Sequence, residues 1–367
     1  MMFSSDLSVI NTLQLQNVAN FKNEISYNGA YNEWFKDLSD YRKVLMKYIE
    51  YKFCDYYCIK RKRIVSGDIL DHHVGAYLAP MDFTRIGWNK VKSKPSQQIV
   101  LLDKFFKLRG IRFIYVALPC KGMVYPNLMV DKELLNGKSI NVPQWRKMLY
   151  EIVDAGVEVI DCLPRFIINK NEILYSKEHN LSPFGCDFTA HLIATYLKKT
   201  IIGEVNIDLS RFSQIDRLYN IHSTMQGEGA VDEFEVQKYI GKQVFDAVDN
   251  EPYTGFLADS GIGIFGNCNL QSYMYDGGGI TANLSYYLGY PVSYLGRKLP
   301  FSDKPQERID DKTLELFCKK KILIYVGFPS ASFVRTSINN SLFMKIYTTI
   351  KKRETSLYGS WSDSKLF

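Results

Sequence analysis

The chain has 367 residues, of which 46% are hydrophobic and 23% charged, and its formal net charge is +7. This composition is typical of a globular protein with enough material for one large domain or two ordinary ones. The mild positive charge permits an anionic partner such as an acidic glycan. No RNA-binding or zinc-finger pattern accompanies the short basic clusters at 60–63 and 350–354, so we expect no nucleic-acid partner.

Cysteine spacing and hydropathy bear on the compartment. The seven cysteines form no C-x-x-C pair, and their odd number argues against a disulfide scaffold. No run of 18 or more apolar residues is present, so no transmembrane helix is expected. Residues 1–21 lack the basic start and continuous apolar core of a secretory signal, which predicts a cytoplasmic protein or one whose anchor is absent from this sequence.

Helical and strand patterns alternate along the chain. Apolar residues at three- and four-residue intervals predict helices, and near-continuous apolar runs predict buried strands. Gly110 and Gly289 are typical helix ends, and Ser182 with Pro183 is a typical helix start. The predicted helices are 31–60, 96–110, 142–156, 182–199 and 280–289, and the predicted strands are 111–119, 157–164, 254–260 and 319–329.

This alternation predicts a parallel α/β sheet that is covered by helices on both faces. Sheets of this kind place their functional residues at the carboxyl ends of the strands. The predicted organisation is a helical N-terminal extension at 1–63, an α/β domain at 64–335 and a C-terminal tail at 336–367. An irregular insertion is expected within the domain at about 200–251.

The glycine-rich stretch at 251–267 allows two hypotheses. Gly261, Gly263 and Gly266 have the G-x-G-x-x-G spacing of a dinucleotide-binding loop after a predicted strand. However, the next residues do not form a clean amphipathic helix, and no second strand ending in an acidic residue follows at the required distance. Dinucleotide binding is therefore the weaker hypothesis.

The second hypothesis is a nucleophilic serine. Ser260 ends the predicted strand at 254–260, and its small neighbours would let backbone N–H groups face an oxyanion. The candidate base is His179, in a loop just before a predicted helix. A turn serine with no chemical role is the plainer alternative for the motif taken alone.

Several other residues are candidates for substrate contact, oxyanion binding or metal binding. Lys121 and Tyr125 follow the carboxyl end of a predicted strand and are candidates for substrate contact, while Gly277–Gly279 supply either oxyanion donors or only a turn. The pair Asp187 and His191, four apart on a helix, is more typical of an ordinary i,i+4 side-chain pair than of catalysis. Adjacent histidines point apart, so His72 and His73 indicate a loop and no metal site is expected.

Taken in order, these elements resemble the SGNH-hydrolase-like domain of bacterial polysaccharide O-acetyltransferases of the alginate acetyltransferase type. The resemblance covers about 64–334, and the histidine loop precedes the serine, as in this permuted branch. The segments that carry it are 116–129, 155–164, 175–194, 257–266, 276–292 and 319–329.

The resemblance implies a three-layer SGNH- or flavodoxin-like parallel sheet with helices on both faces, beside the helical N-terminal extension. It also implies acyl transfer, with acetyl as the group, to a carbohydrate hydroxyl without a cofactor. Ser260 would be the nucleophile and His179 the base, with oxyanion donors near Gly261 and Gly278. The implied partners are a polysaccharide or oligosaccharide acceptor and a membrane O-acyltransferase that supplies the acyl donor, and the implied location is extracytoplasmic.

The sequence departs from the family pattern at the histidine loop. Lys177 occupies the position of the acid that orients the histidine, and Ala258 replaces a glycine beside the serine. If the protein is active, another acceptor must orient His179, with Glu178 the nearest in sequence and a backbone carbonyl the next choice. We therefore expect weak activity that improves on Lys177→Asp. The alternative functions are a catalytically degenerate glycan-binding or assembly protein and, third, a carbohydrate esterase.

Overall fold

The structure is a computed structural model that describes residues 95–125, 143–176, 180–200, 207–222, 236–256, 258–266, 268–296 and 311–327. The predicted helix at 31–60, the extension at 1–63 and the tail at 336–367 lie outside the described residues. In the described part of the chain, no helix has the length and apolar character needed to cross a membrane.

Helices and strands alternate over most of the described chain. The helices are α1 Pro95–Lys107, α2 Lys121–Val124, α3 Pro143–Asp154, α4 Leu163–Ile168, α5 Pro183–Lys198, α6 Ile280–Leu288 and α7 Asp311–Cys318. The strands are β1 Arg112–Ala117, β2 Glu158–Asp161, β3 Phe212–His222, β4 Val236–Asp246, β5 Ile262–Gly266, β6 Val292–Tyr294 and β7 Ile322–Gly327.

Five of these strands form one parallel sheet in the order β2-β1-β7-β5-β6. Every residue of β7 is buried, as are all but the first of β1. Successive side chains of a strand point to opposite faces, so both faces of these two strands are covered. This confirms the predicted α/β class. All five carboxyl ends lie at one edge of the sheet, which we call the carboxyl edge.

Local sequence signals explain where the helices begin and end. Ser182 caps α5 by accepting a hydrogen bond of 2.9 Å from the backbone N–H of Gly185, and Pro183 occupies the first turn. Gly110 follows α1 with a φ of +70°, and Gly289 follows α6 with a φ of +61°. These left-handed positions favour glycine, as the sequence predicts.

The segment predicted to be irregular contains a regular antiparallel pair, β3 and β4, with eleven residues in each strand. The pair packs against α5 and α6, and a Cβ at Gly241 would meet the Cβ of Pro183 at 2.2 Å. Charged and polar residues interrupt the apolar alternation of both strands, so the sequence pattern does not predict them.

The predicted strand at 254–260 is wrong. Of that stretch, Phe256 makes a single bridge to Tyr294, and the strand proper is β5, which begins at Ile262. The glycines of the G-x-G-x-x-G pattern make a strand at this position hard to predict, because glycine is depleted in strands. Gly263 is tolerated inside β5 because Leu295 and Leu323 fill the space where its Cβ would lie.

Candidate active site at the carboxyl edge

A short hairpin carries the predicted base. Tyr175 and Leu181 form an antiparallel bridge, and the N–H of Ser176 donates to the carbonyl of Asn180 at 3.0 Å. We call residues 174–182 the histidine hairpin. Its central residues 177–179, which include His179, lie outside the described residues, but both of its arms are described.

The segment that follows β1 holds one arm of the histidine hairpin. Lys121 is 1% exposed, and its Nζ donates to the carbonyl of Ser176 at 2.7 Å. The hydroxyl of Tyr175 donates to the carbonyl of Pro119, two residues beyond the end of β1. The arm that precedes His179 is thus fixed to the carboxyl edge by the segment after β1.

Tyr125 forms two hydrogen bonds to the chain that leads into the same arm. Its hydroxyl donates to the carbonyl of Glu172 at 2.8 Å and accepts from the N–H of Leu174 at 3.2 Å. Burial raises the pKa of Tyr125 to about 12, so the phenol keeps its proton and remains a donor at neutral pH. Tyr125 is 4% exposed and Lys121 is 1% exposed, so both hold the hairpin and leave little surface for the predicted contact with substrate.

The segment that follows β5 holds the other arm. Oδ1 of Asn269, a residue 1% exposed, accepts a hydrogen bond of 2.8 Å from the N–H of Leu181. The hydroxyl of Tyr273 donates to the carbonyl of Leu181 at 3.2 Å. Tyr273 has a φ of +57°, which is rare for an aromatic residue and marks a backbone held by its surroundings. Neither anchor is predicted by the local sequence.

Two glycines permit these close approaches. Gly266, the last residue of β5, has a φ of +154°, and a Cβ there would lie 2.2 Å from the carbonyl oxygen of Val326. A Cβ at Gly185 would lie 1.9 Å from the carbonyl oxygen of Leu174 in the histidine hairpin. Only glycine therefore fits at either position.

Ser260 lies at the opposite edge of the sheet, and its predicted position is wrong. It precedes β5 by two residues, and its backbone carbonyl accepts from Lys320, which precedes β7 by two residues. A five-residue strand at about 3.3 Å per residue separates this edge from the carboxyl edge by about 13 Å. This exceeds the reach of a hydrogen bond from a base on the histidine hairpin.

The contacts of Ser260 are those of a turn residue. It is 8% exposed, and its Oγ donates to the carbonyl of Pro291 and accepts from the N–H of Ile262 at 3.0 Å. Burial lowers the pKa of the neighbouring Lys320, whose ammonium donates to the carbonyl of Ser260 at 2.8 Å. These hydrogen bonds give Ser260 a structural role, which is to hold the turn that leads into β5.

The two glycines predicted as oxyanion donors have their N–H groups engaged elsewhere. The N–H of Gly261 donates to the hydroxyl of Tyr290 at 3.1 Å, at the same edge as Ser260. The N–H of Gly278 donates to the carbonyl of Tyr273 at 3.0 Å. Gly278 also packs under Tyr219, whose hydroxyl a Cβ would meet at 2.2 Å.

The dinucleotide hypothesis also fails on geometry. A dinucleotide loop needs its glycines on the turn from a strand to a helix. Here Gly261 precedes β5, Gly263 lies within it and Gly266 ends it. After Gly266 the chain continues as Asn267 and the short 3₁₀ helix Cys268–Leu270.

The remaining titratable candidates lie elsewhere or play structural roles. Asp187 is 2% exposed, accepts from the hydroxyl of Tyr287 at 2.7 Å, and has its pKa raised by burial to about 6. Burial lowers the pKa of His191, whose ring packs edge-on against Tyr287. His72 and His73 lie outside the described residues. Within the described ranges, no group of three or more His, Cys, Asp or Glu side chains could hold a metal ion.

No protein-family model and no curated protein sequence matches the chain. The O-acetyltransferase domain of Pseudomonas putida AlgJ is a structural match with a TM-score of 0.52 and 8% sequence identity, covering 79% of this chain and 100% of that chain. This likeness shows that the chain has an α/β fold of the same kind, and so confirms the SGNH-like fold predicted from the sequence resemblance.

Two further solved structures are similar at lower scores. Pseudomonas aeruginosa AlgX matches with a TM-score of 0.48 and 15% identity, over 67% of this chain and 58% of that chain. Bacillus cereus PatB1 with a sulfonyl adduct matches with a TM-score of 0.41 and 12% identity, over 69% of this chain and 93% of that chain. The chain thus matches little more than half the length of AlgX.

Proposed function

We propose that this protein transfers an acyl group, acetyl by resemblance, to a carbohydrate hydroxyl at the carboxyl edge, with His179 as general base. The observation that carries the proposal is the histidine hairpin, which is hydrogen-bonded to the segments after both β1 and β5. Ligand sites of parallel α/β sheets lie at this edge. The arms on both sides of His179 are therefore held at the edge where a substrate would bind, which supports the choice of this histidine as the base.

The similar fold of an O-acetyltransferase domain supports the choice of reaction. The acceptor is then a polysaccharide or oligosaccharide hydroxyl, and the base removes its proton as the hydroxyl attacks the acyl carbonyl. We also propose that a membrane O-acyltransferase supplies the acyl donor and that the transfer takes place outside the cytoplasm.

The test is an acyl-transfer assay with 4-nitrophenyl acetate as donor and a mixture of soluble anionic and neutral oligosaccharides as acceptors. Mass spectrometry of the acceptors and nitrophenol release are measured together. We expect acceptor acetylation by the wild type and a fall of about 100-fold or more in His179→Ala, the typical contribution of a general base. The matched control is His191→Ala, a histidine of α5 that contacts Tyr287.

Each outcome decides between functions. Transfer that survives His179→Ala would overturn the proposed role of the hairpin. Nitrophenol release that depends on His179 without acetylation of any acceptor would identify an esterase instead, and release of acetate from an acetylated oligosaccharide would make it a carbohydrate esterase.

The second candidate is a catalytically degenerate glycan-binding or assembly protein. The position of Ser260 favours it, because the serine predicted as nucleophile lies at the edge of the sheet opposite the carboxyl edge, two residues before β5 begins. Lys177 in the position of the acid points the same way. Binding of an oligosaccharide by the wild type without ester cleavage or acetyl transfer would establish this function.

A further inference from the structure

We propose that Cys268 is the nucleophile of this protein, and that it carries the acyl group as a thioester between donor and acceptor. This inference rests on the proposed acyl transfer and supplies the residue that Ser260 cannot provide from the opposite edge. The carboxyl edge places a cysteine, the histidine hairpin and the turn at Gly266 together.

The backbone places Cys268 directly beside the histidine hairpin. It is the second residue after β5 and the first of the 3₁₀ helix Cys268–Leu270. The next residue, Asn269, accepts the hydrogen bond from Leu181, which lies two residues beyond His179. The segment after β5 therefore places a cysteine next to the residue that binds the arm after His179.

The turn before Cys268 has the form that a nucleophile requires. Hydrolases of several kinds present the nucleophile on a sharp turn from a strand into a helix. Gly266 ends β5 with a φ of +154° and has no room for a Cβ against the carbonyl of Val326. The strand therefore ends at a position that only glycine fits, and two residues later Cys268 begins a helical turn.

The other cysteines near this edge are unsuited to the role. Cys120 follows β1 and Cys162 follows β2, and each is 0% exposed. Burial raises the pKa of the Cys162 thiol well above its ordinary range, which disfavours the nucleophilic thiolate. Cys186 is equally buried inside α5.

A cysteine nucleophile also accounts for the missing acid. A serine hydroxyl must lose its proton to a histidine that a carboxylate orients, whereas a thiol ionises at about pH 8.5 without such help. A positive charge nearby favours the thiolate over the thiol. A lysine at position 177, where the resemblance implies an acid, is thus unfavourable for a serine mechanism but compatible with a cysteine one.

The reaction balances in two half-reactions. The Cys268 thiolate attacks the carbonyl carbon of the donor ester, an S–C bond forms, and the donor C–O bond breaks as its alcohol takes the proton held by His179. The acceptor hydroxyl then gives its proton to His179 and attacks the thioester carbonyl. The new C–O bond forms, the C–S bond breaks, and the thiolate returns.

The first test is trapping of the acyl-enzyme. The full chain is mixed with 4-nitrophenyl acetate, quenched in acid and digested, and the cysteine peptides are analysed by mass spectrometry. We expect an acetyl group on the Cys268 peptide that neutral hydroxylamine removes, as it does thioesters. Cys268→Ala should lower turnover by about 1,000-fold or more, the scale of losing a nucleophile, and Cys318→Ala is the matched control.

The second test needs no acyl donor. The rate of alkylation of each cysteine by iodoacetamide at pH 7 is measured in the native chain and in the chain unfolded by guanidinium. We expect Cys268 to react faster in the native chain than in the unfolded chain, and His179→Ala to remove the difference. A native rate no higher than the unfolded rate means that the site does not activate this thiol, and the proposal is then wrong.

The outcomes separate this inference from the proposed function. Acceptor acetylation that survives Cys268→Ala, or that is lost in Ser260→Ala while Cys268→Ala stays active, overturns the cysteine and leaves acyl transfer standing. Absence of any transfer or acyl adduct in the wild type, with an unactivated Cys268, overturns both. Cys268→Ser separates chemistry from folding, since it keeps the size of the side chain but lacks the acidic thiol.

Discussion

The backbone N–H of Leu181 donates a hydrogen bond of 2.8 Å to Oδ1 of Asn269, across 88 positions of the sequence. This contact joins the arm of the histidine hairpin that follows His179 to the turn that follows β5. The proposed base and the proposed nucleophile are each within two residues of the bonded pair, so the position of one relative to the other depends on it.

Asn269→Ala should therefore impair catalysis more than it impairs folding. The lost acceptor leaves the buried N–H of Leu181 without its partner, at a cost of about 1–3 kcal/mol in the free energy of unfolding. We expect kcat to fall about 10-fold or more, because misplacement by an ångström at a catalytic pair is costly, while KM changes little. Asn269→Asp keeps an acceptor oxygen and should recover part of kcat.

Urea denaturation and steady-state kinetics of the same preparations check this prediction. Asn169→Ala is the matched control, because the side-chain amide of that asparagine donates to the carbonyl of Arg165, four residues earlier at the end of α4. An Asn269→Ala protein with wild-type kcat would show that the hairpin needs no anchor at β5.

Lys121→Met should lower kcat and stability with little change in KM. The sequence alone predicts a substrate contact, for which KM would rise. The structure instead places Nζ against the carbonyl of Ser176, in a side chain 1% exposed. Methionine fills the volume but leaves that carbonyl without its donor, so we expect a loss of about 1–3 kcal/mol in unfolding free energy.

The measurement is the split between kcat and KM for the acceptor, with Lys198→Met as a surface control at the end of α5. A rise in KM with unchanged kcat and stability would restore the substrate-contact role.

The sequence predicts the fold well because its signals are local. The apolar run of β1 and the Ser182-Pro183 start of α5 are visible in a few neighbouring residues, and both are present as predicted. The anchors are not visible in this way. Lys121 and Ser176 are 55 positions apart and Asn269 and Leu181 are 88 apart, so nothing in the neighbourhood of either residue indicates its partner.

The error at Ser260 has a different physical origin. The apolar stretch before it and the glycines after it suggested that a strand ends at the serine. The residues Ile262, Ile264 and Phe265 are in fact the buried ones, each 0% exposed, and the glycines between them are packed by neighbouring side chains and backbone. Moving the strand by a few residues moves the predicted nucleophile from one edge of the sheet to the other.

Gly266→Ala should destabilise the protein strongly. The change places a Cβ 2.2 Å from the carbonyl oxygen of Val326 at a φ of +154°, and we expect a loss of at least about 3 kcal/mol. Gly110→Ala is the matched control, since Gly110 also has a positive φ but no atom within 4 Å of the added Cβ. Its cost should be only about 1–2 kcal/mol. Thermal unfolding of both variants compares them directly, and equal costs would mean that the turn after β5 relaxes.

Stability should decrease as the pH rises from about 4 to about 6 because of Asp187. Burial, partly offset by the hydroxyl of Tyr287, raises the pKa of this carboxyl from 3.8 to about 6. The folded state then holds a proton that the unfolded state has released, so unfolding becomes easier as that proton is lost. A difference of this size corresponds to roughly 3 kcal/mol of unfolding free energy.

Asp187→Asn removes this titration but keeps an oxygen to accept from Tyr287 and Gln214. The variant should be more stable than the wild type at pH 7 and should show a flatter dependence of unfolding free energy on pH between 4 and 6. Urea midpoints measured across this range test it, and an unchanged slope in the variant would assign the dependence to another group.

The direction of the effect of Lys177→Asp distinguishes the two possible nucleophiles. Beside a serine, the new carboxylate would restore the acid that orients His179 and would raise kcat. If Cys268 is the nucleophile, the change would instead replace a cationic side chain two residues before the proposed base with an anionic one, which disfavours a thiolate. The value of kcat should then fall, by about 10-fold for a loss of 1.4 kcal/mol in transition-state stabilisation. Lys177→Arg keeps the charge, and its kcat should stay near that of the wild type.

The measurement is acceptor acetylation at pH 7 together with the native alkylation rate of Cys268, and both should fall in Lys177→Asp. A Lys177→Asp variant that is faster than the wild type, with an unchanged alkylation rate of Cys268, would indicate a hydroxyl nucleophile instead.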